Sequence, residues 1–380
     1  MDENNNKSLS DKERKNQLRL IRCENVGPVT FHKLMERYLN ASEALQALPE
    51  LARLGGRAGK IKMCSEAAVN KEIDRYKKIN ARLIACGEPD YPPLLTQLED
   101  APPLISAIGH AHLLKKRSVA IVGSRNASVN GKQFAQKIAY DLGKNGLLVV
   151  SGMARGIDGA AHLGAIHTGT VAVLGGGVDV IYPKENQNLY QQISESGVII
   201  SEVPPGTQPK ARHFPARNRI ISGMSRGIIV VEAAPRSGSL ITARLALEQG
   251  RDVFAVPGSA LDPRAKGSND LIRQGAILTE SADDVIRELK AQSGGTKLEQ
   301  RKSNLFSTSP PIQPSPSELK KARSNIIEAL SPTPTSIDAI IRSTNLNPGS
   351  VAIVLLELEL AGRLERHPGN QVSMIISVTD

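Results

Sequence analysis

The sequence predicts an α/β protein whose centre is a doubly wound parallel sheet, with a smaller unit on either side. Three observations carry this. From Ser118 onward, short wholly apolar runs alternate with amphipathic stretches. Several of those runs end in glycine-rich turns, and the flanks carry helix-length patterns cut by Gly and Pro. Strands that are apolar on both faces need cover on both faces, as in a parallel sheet between two helical layers.

Residues 1–15 are rich in Asn, Lys, Asp and Glu and are expected to form a disordered tail. Residues 16–78 read as short helices carried by Leu18, Ile21, Val29, Leu34 and Leu39, and broken at Gly27-Pro28, Pro49 and Gly55-Gly56. Within them, Val26-Gly27-Pro28-Val29 and the helical pattern that follows resemble a helix-hairpin-helix (SAM-like) turn; a plain inter-helix turn fits the same residues. Residues 79–116 are mixed and proline-punctuated, and are counted with the sheet in a domain spanning 79–290. The apolar runs are Val119–Val122, Leu147–Val150, Val171–Leu174, Val198–Ile200, Ile228–Val231 and Val253–Val256. Between them, Gly131–Leu142, Asp158–His167, Asn186–Glu195 and Leu240–Gln249 have helical spacing. Residues 291–318, rich in Ser, Pro, Gln and Lys, read as a flexible linker. Residues 319–380 order as three helices (Ala322–Leu330, Ile337–Ser343, Pro348–Ala361) and a hairpin around Pro368-Gly369, the order of a winged helix.

The bulk properties narrow the function. At 380 residues the chain exceeds what one hydrophobic core organises. A formal net charge of +10 favours a polyanionic partner. Cys23, Cys64 and Cys86 lie far apart without C-x-x-C spacing, which fits a reducing compartment and neither a disulfide scaffold nor a zinc site. The polar start and the lack of a long apolar run predict a cytoplasmic protein with no signal peptide and no membrane partner. With no Trp and only 3% aromatic residues, an aromatic stacking platform is not expected. A nucleic-acid grip must then rest on backbone amides, Lys, Arg and at most one aromatic wedge.

In an open parallel sheet the ligand sits beyond the carboxyl ends of the strands. Those ends read Gly123-Ser124-Arg125, Ser151-Gly152-Met153-Ala154-Arg155-Gly156 and Gly175-Gly176-Gly177. Glycines let backbone N–H groups approach an anion, and the following helix N-termini add positive partial charge. None of the turns spells G-x-G-x-x-G or a P-loop, so no nicotinamide or ATP cofactor is expected. The segment Val203–Val231 carries Lys210, Arg212, Arg217, Arg219 and Arg226 with no Asp or Glu, which predicts a loop of cations facing an anion. Phe214, flanked by those cations, is either a wedge against a base or a core side chain. Lys184 follows the triple-glycine turn and is a further candidate phosphate contact. His162, His167 and His213 are not spaced as metal ligands. Glu232 and Asp158 sit near strand ends as candidate acids or bases, with pairing to a nearby Arg as the alternative.

The stretches AIVGSR (120–125), SGMARGID (151–158), VLGGGVDVIYPKEN (173–186), HFPARNRIISGMS (213–225), VVEAAPRSGSLITA (230–243) and RDVFAVPG (251–258) resemble the DNA-processing protein A (DprA/Smf) family. The resemblance implies an extended Rossmann-like domain that binds single-stranded DNA without catalysis. It also implies a homodimer that protects incoming DNA in natural transformation, or competence, and helps load the RecA recombinase. Carried over by motif, the contacts are Arg125 of the G-S-R turn, Lys184, and Phe214 with Arg217 and Arg219; Gly123, Ser124, Gly152, Arg155, Gly156 and Asn218 are counted with them as candidate DNA contacts. The family's Lys three residues before the Phe is Ala211 here, which leaves Lys210 and Arg212 on either side to supply its charge. The rival reading is a nucleotide phosphoribohydrolase of the LOG group, but Leu245 stands where its catalytic Glu would fall after Ser237–Thr242. A scaffold that binds recombinase and touches DNA weakly is a third. In the winged helix, Pro348–Ala361 lacks Lys and Arg and suits packing or protein contact better than groove reading. The DNA-binding reading requires Arg125 and the Phe214 segment to share one edge of the sheet.

Overall fold

The computed structural model describes residues 9–294, 315–367 and 369–375. They form two compact units: Leu9 with residues 70–294, and residues 10–69 with 315–375.

The first unit holds nine strands: β1 (Arg82–Ala85), β2 (Leu104–Gly109), β3 (Ser118–Gly123), β4 (Leu148–Ser151), β5 (Thr170–Val173), β6 (Val198–Ser201), β7 (Gly227–Val231), β8 (Asp252–Ala255) and β9 (Ile277–Leu278). Their order across the sheet is β1-β2-β6-β5-β4-β3-β7-β8-β9. β3 to β9 pair in parallel, and β1 and β2 add an antiparallel edge beyond β6. The chain winds outward from β3 to β6, then crosses back to β7, so the β3/β7 border is where the winding reverses. Ala120, Val122, Ile228 and Val230 join a core on one face with Ile220 and Ala243 of the helices His213–Gly223 and Gly238–Glu248. The intervening Val119, Ile121, Ile229 and Val231 join the opposite core, under Ala135 and Ala161 of the helices Val129–Lys144 and Ile157–Ala165. Every second residue thus serves a different hydrophobic layer, each buried Val or Ile stabilising by about 1.5–3 kcal/mol. This is the doubly wound α/β fold that the apolar runs predict.

Three strands went unread. β1 and β2 lie in the proline-punctuated stretch, where Pro92, Pro93, Pro102 and Pro103 mask the pattern, and β9 is two residues long. Within the segment expected as a loop of cations, the part carrying Arg217 and Arg219 is the helix His213–Gly223, which corrects that expectation. Its arginines are interleaved with Ile220 and Ile221, which turn into the core.

In the second unit, the helices Asp11–Ile21, Pro28–Arg37 and Ala41–Leu54 pack around Leu20, Leu34, Leu48 and Leu51. Ser10 and Asn40 cap two of them by accepting from the amides of Glu13 and Glu43. Residues 11–15 are therefore helical rather than part of a tail, while residues 1–8 lie outside the described residues. Most of the expected linker, 295–314, lies outside them as well. At its edges the helix Ala282–Gly294 is still running, and the helix Pro316–Ala329 starts on a capping box between Ser315 and Glu318. The helices Ile337–Thr344 and Pro348–Leu360 follow, with a three-stranded sheet of Thr335–Ser336, Gln371–Met374 and Leu364–His367.

The helix Pro348–Leu360 is apolar over most of its surface because two cores cover it. Val351, Val354, Leu355 and Leu358 enter the winged-helix core, while Leu356 and Leu360 enter the core of residues 10–69. Buried Glu357 takes both oxygens to Arg323, at 2.6 and 2.9 Å. Asn25 Nδ2 donates to the Leu360 carbonyl at 3.2 Å, and Arg363 donates to the Gly55 carbonyl at 3.3 Å. Gly55 permits the approach, since a Cβ there would stand 2.0 Å from the Glu357 carbonyl oxygen.

Candidate nucleic-acid interface

The carboxyl ends of β3, β4 and β5 meet at one edge, and close backbone contact holds them there. A Cβ on Gly123 would stand 1.9 Å from the Val231 carbonyl oxygen, so β3 and β7 approach closely as they end. Gly156 has φ +78°, a left-handed conformation that glycine takes without strain, and its Cα lies against the Ser124 carbonyl. Ile157 N–H donates to that same carbonyl at 3.2 Å, which seats the second turn on the first. Asp158 is buried and accepts from the amides of Gly152 at 3.1 Å and Ala154 at 3.3 Å, fixing the turn after β4. Asn186 ties the loop after β5 to the same turn by donating to the Met153 carbonyl at 2.8 Å.

Arg217 lies under this rim. Only 6% of it is exposed, and its Nη1 donates to the Val173 carbonyl at 3.0 Å, at the end of β5. Gly152 gives it room, since a Cβ there would meet Nη1 at 1.6 Å. Burial pulls the Arg217 guanidinium down to about 10, with Asp158 opposing the shift, so it keeps its charge at neutral pH. Burial raises the Asp158 carboxyl, and the charge of Arg217 counters that. His162, fully buried with Nδ1 2.8 Å from the Thr170 hydroxyl, is pushed down to about 3 by burial and then by Arg217.

Arg125 and Phe214 come together: the exposed Arg125 guanidinium stands 5.4 Å from the centre of the Phe214 ring. Phe214 is half-buried and belongs to neither sheet core; its ring meets Tyr182 at 5.8 Å, tilted 40°. It is a site residue, presented with a cation on one side and a ring on the other. Around it, Gly152, Ala154, Gly176 and Pro209 line a hollow of about 40 Å³, enough for an anion's oxygens but not for a base. Lys184, Lys210 and Arg212 are exposed beside it on the segments carrying Pro183 and Pro209. Asn218 lies across Phe214, on the wall of a second hollow of about 480 Å³ at the β3/β7 border.

Three expectations change. Arg219 is paired to Glu202 and lies 3.5 Å from Asp100, acids outside the segment whose sequence looked acid-free, so its charge is already neutralised. Arg155 is exposed but shares an ion pair with Glu185 at 3.5 Å, a weak surface contact that an anion can displace. Arg226 precedes β7 and so lies at the amino end of the strands, away from the rim. Of the two candidate acid–base groups, Asp158 holds backbone amides, and Glu232 accepts from Ser128 N at 2.9 Å and from the Ser128 hydroxyl. Sequence reasoning missed Tyr182, although it adjoins Lys184 in the same motif. It also missed Arg236 and Ser237 as site residues, although their stretch, 230–243, was among those resembling the family.

Comparison with known proteins shows the family. A family model described as DNA recombination-mediator protein A matches residues 82–290. Models of a DprA-like N-terminal HHH domain and a DprA winged helix domain match 11–74 and 310–370. Protein Smf of Synechocystis is 33% identical over 90% of this chain and 94% of its own. The X-ray structure of DNA processing protein A from Streptococcus pneumoniae aligns with a TM-score of 0.59 at 39% identity, covering 72% of this chain and 95% of that one. DNA processing protein A from Helicobacter pylori, solved for its single-stranded DNA binding mode, aligns with a TM-score of 0.52 at 30% identity over 56% of this chain and 96% of that one. With one model spanning the sheet unit and full-length likeness to a relative, the chain belongs to the DNA recombination-mediator protein A family.

Proposed function

We propose that the chain binds single-stranded DNA along the carboxyl edge of its sheet and serves homologous recombination by holding the strand, without catalysis. The observation that carries the reading is the pairing of Arg125 with Phe214 above amide-rich turns, with Lys184, Lys210 and Arg212 exposed beside it. Fixed cations and amides suit phosphodiesters of any sequence, and one half-buried ring suits a single stacked base. The likeness to the Helicobacter pylori protein supports a single strand as the ligand. On this reading Gly123, Ser124, Gly152 and Gly156 shape the rim, Arg217 and Asn218 line it, and Arg155 joins once displaced from Glu185. The finer reading is a cytoplasmic homodimer that protects incoming DNA in natural transformation and passes it to RecA, with no cofactor.

The test is fluorescence anisotropy with oligo-dT across a salt series, comparing wild type with Arg125→Ala, Lys184→Ala and Lys210→Ala. Each variant should weaken binding and flatten the salt slope by about 0.7, one phosphate contact on a single strand. Unchanged affinity in the triple variant sinks the proposal.

A further inference from the structure

The larger hollow lies at the β3/β7 border, where the winding of the sheet reverses and open α/β sheets offer a crevice. Its volume, about 480 Å³, is within the range that encloses a small organic ligand, whereas the rim hollow of about 40 Å³ is not. Arg125, Phe214 and Arg217 form the wall that the two hollows share.

The hollow has a polar end and an apolar end. At the polar end the helix Gly238–Glu248 begins, with Ser237 as its cap and the exposed Arg236 just before it. Ser237 accepts from the Ser239 amide at 3.3 Å, and the two hydroxyls are 2.7 Å apart. Nothing lies within 4 Å of where a Cβ on Gly238 would stand, so the helix start faces open space. Independently of that helix, Arg217 lines the hollow at 6% exposure, and its Nε has no hydrogen-bond partner. The large exposed apolar side chain of the lining is Ile241, at 47%, and behind it Val122 and Ile221 belong to the core at 4% and 1% exposure. The one acid on the lining, Asp158, is buried and already holds two amides. A cationic, amide-rich end beside an apolar wall matches a nucleotide: phosphate at the one, base at the other.

We propose that this hollow is a second nucleotide subsite, taking a phosphate on Arg236 and the amides after Ser237 and a base against Ile241. The strand then passes over Phe214, with one phosphate in the small rim hollow and the neighbouring nucleotide in the large one. This rests on the reading of the rim as a single-strand site and extends its footprint across the sheet's reversal point.

Gly238→Glu tests it without threatening the fold. The position has open space and an ordinary backbone, and a carboxylate in the first turn suits the helix dipole while repelling a phosphate. With full-length protein and oligo-dT of about 20 nucleotides, Gly238→Glu and Arg236→Ala should each weaken binding about tenfold. Gly238→Leu, which fills the hollow without charge, should weaken it too. Thymidine 5′-monophosphate, the free-nucleotide probe, should compete with oligo-dT at millimolar concentration for wild type but not for Gly238→Glu. Wild-type affinity in Gly238→Glu and Arg236→Ala, alongside lost affinity in Arg125→Ala, overturns the subsite and leaves the rim standing. Normal binding in the Arg125 variant as well overturns the rim reading itself. Competition by the mononucleotide with no effect of Gly238→Glu on the strand also overturns the proposal, since the hollow would then take free nucleotides alone.

Discussion

Two parts of this chain belong to fold types associated with DNA, and they are built in opposite ways. At the sheet's carboxyl edge the backbone is tightly packed, yet Arg125, Lys184, Lys210 and Arg212 stand exposed. In the winged helix the third helix, Pro348–Leu360, is covered on both sides and has no cation of its own. A winged helix that reads DNA sends this helix into the major groove; here Leu356 and Leu360 are held by residues 10–69 instead. Fold type does not assign function. What separates the two parts is whether the polar groups face outward after packing is complete.

The sharpest way to break this contrast is at the rim. Arg125→Ala combined with Lys210→Ala should lower affinity for oligo-dT about 100-fold at physiological salt, roughly 1.4 kcal/mol for each cation removed. Retained binding would shift attention to the winged helix. On the other side, Gly55→Leu should force the seam apart, because its Cβ meets the Glu357 carbonyl. A cost of about 1–3 kcal/mol to the second unit is expected, read as faster hydrogen exchange at Leu356 and Leu360, with oligo-dT affinity within twofold of wild type.

Acid should separate the units by stability. His162 is fully buried and held down to about 3, against 6.5 for a free imidazole. Above pH 6.5 it is neutral whether folded or unfolded; below, only the unfolded chain takes up the proton. The sheet unit should thus lose stability as pH falls from about 6.5 towards 3, by roughly 2 kcal/mol at pH 5. Denaturant melts at pH 7 and 5 should show this in wild type and a shallower dependence in His162→Gln. A small effect on DNA binding is also expected from removing residues 315–375. Oligo-dT affinity should stay within threefold, while residues 10–69, deprived of Leu356 and Leu360, should melt earlier. A tenfold loss of affinity would return the winged helix to the DNA site.

The sequence made the sheet legible because burial on both faces leaves unbroken apolar runs, and the Val and Ile of β3 and β7 do that. The rim was legible because Gly152 and Gly156 hold positions a side chain cannot share. What stayed hidden depended on partners distant in sequence. Arg219 looked free because Glu202 lies just before its segment and Asp100 more than a hundred positions earlier. The helix His213–Gly223 was concealed by a pattern in which cations and apolar residues alternate too closely to mark a face. The start at Pro316 was readable, since Ser315 and Glu318 spell a capping box, but the proline-rich surroundings argued for a linker. The covering of Pro348–Leu360 was half legible: its lack of a polar face announced burial, but not by what.

That seam also sets an order of events during synthesis. Asn25 and the Leu360 carbonyl it meets are 335 positions apart. At about 5–20 residues per second, a ribosome needs on the order of 20–60 s to travel between them. For that interval the first helices have emerged while Leu356 and Leu360, two residues of their core, do not yet exist. The nascent amino-terminal segment therefore carries an open oily face until Leu360 has been made, a face that a chaperone can cover in the meantime.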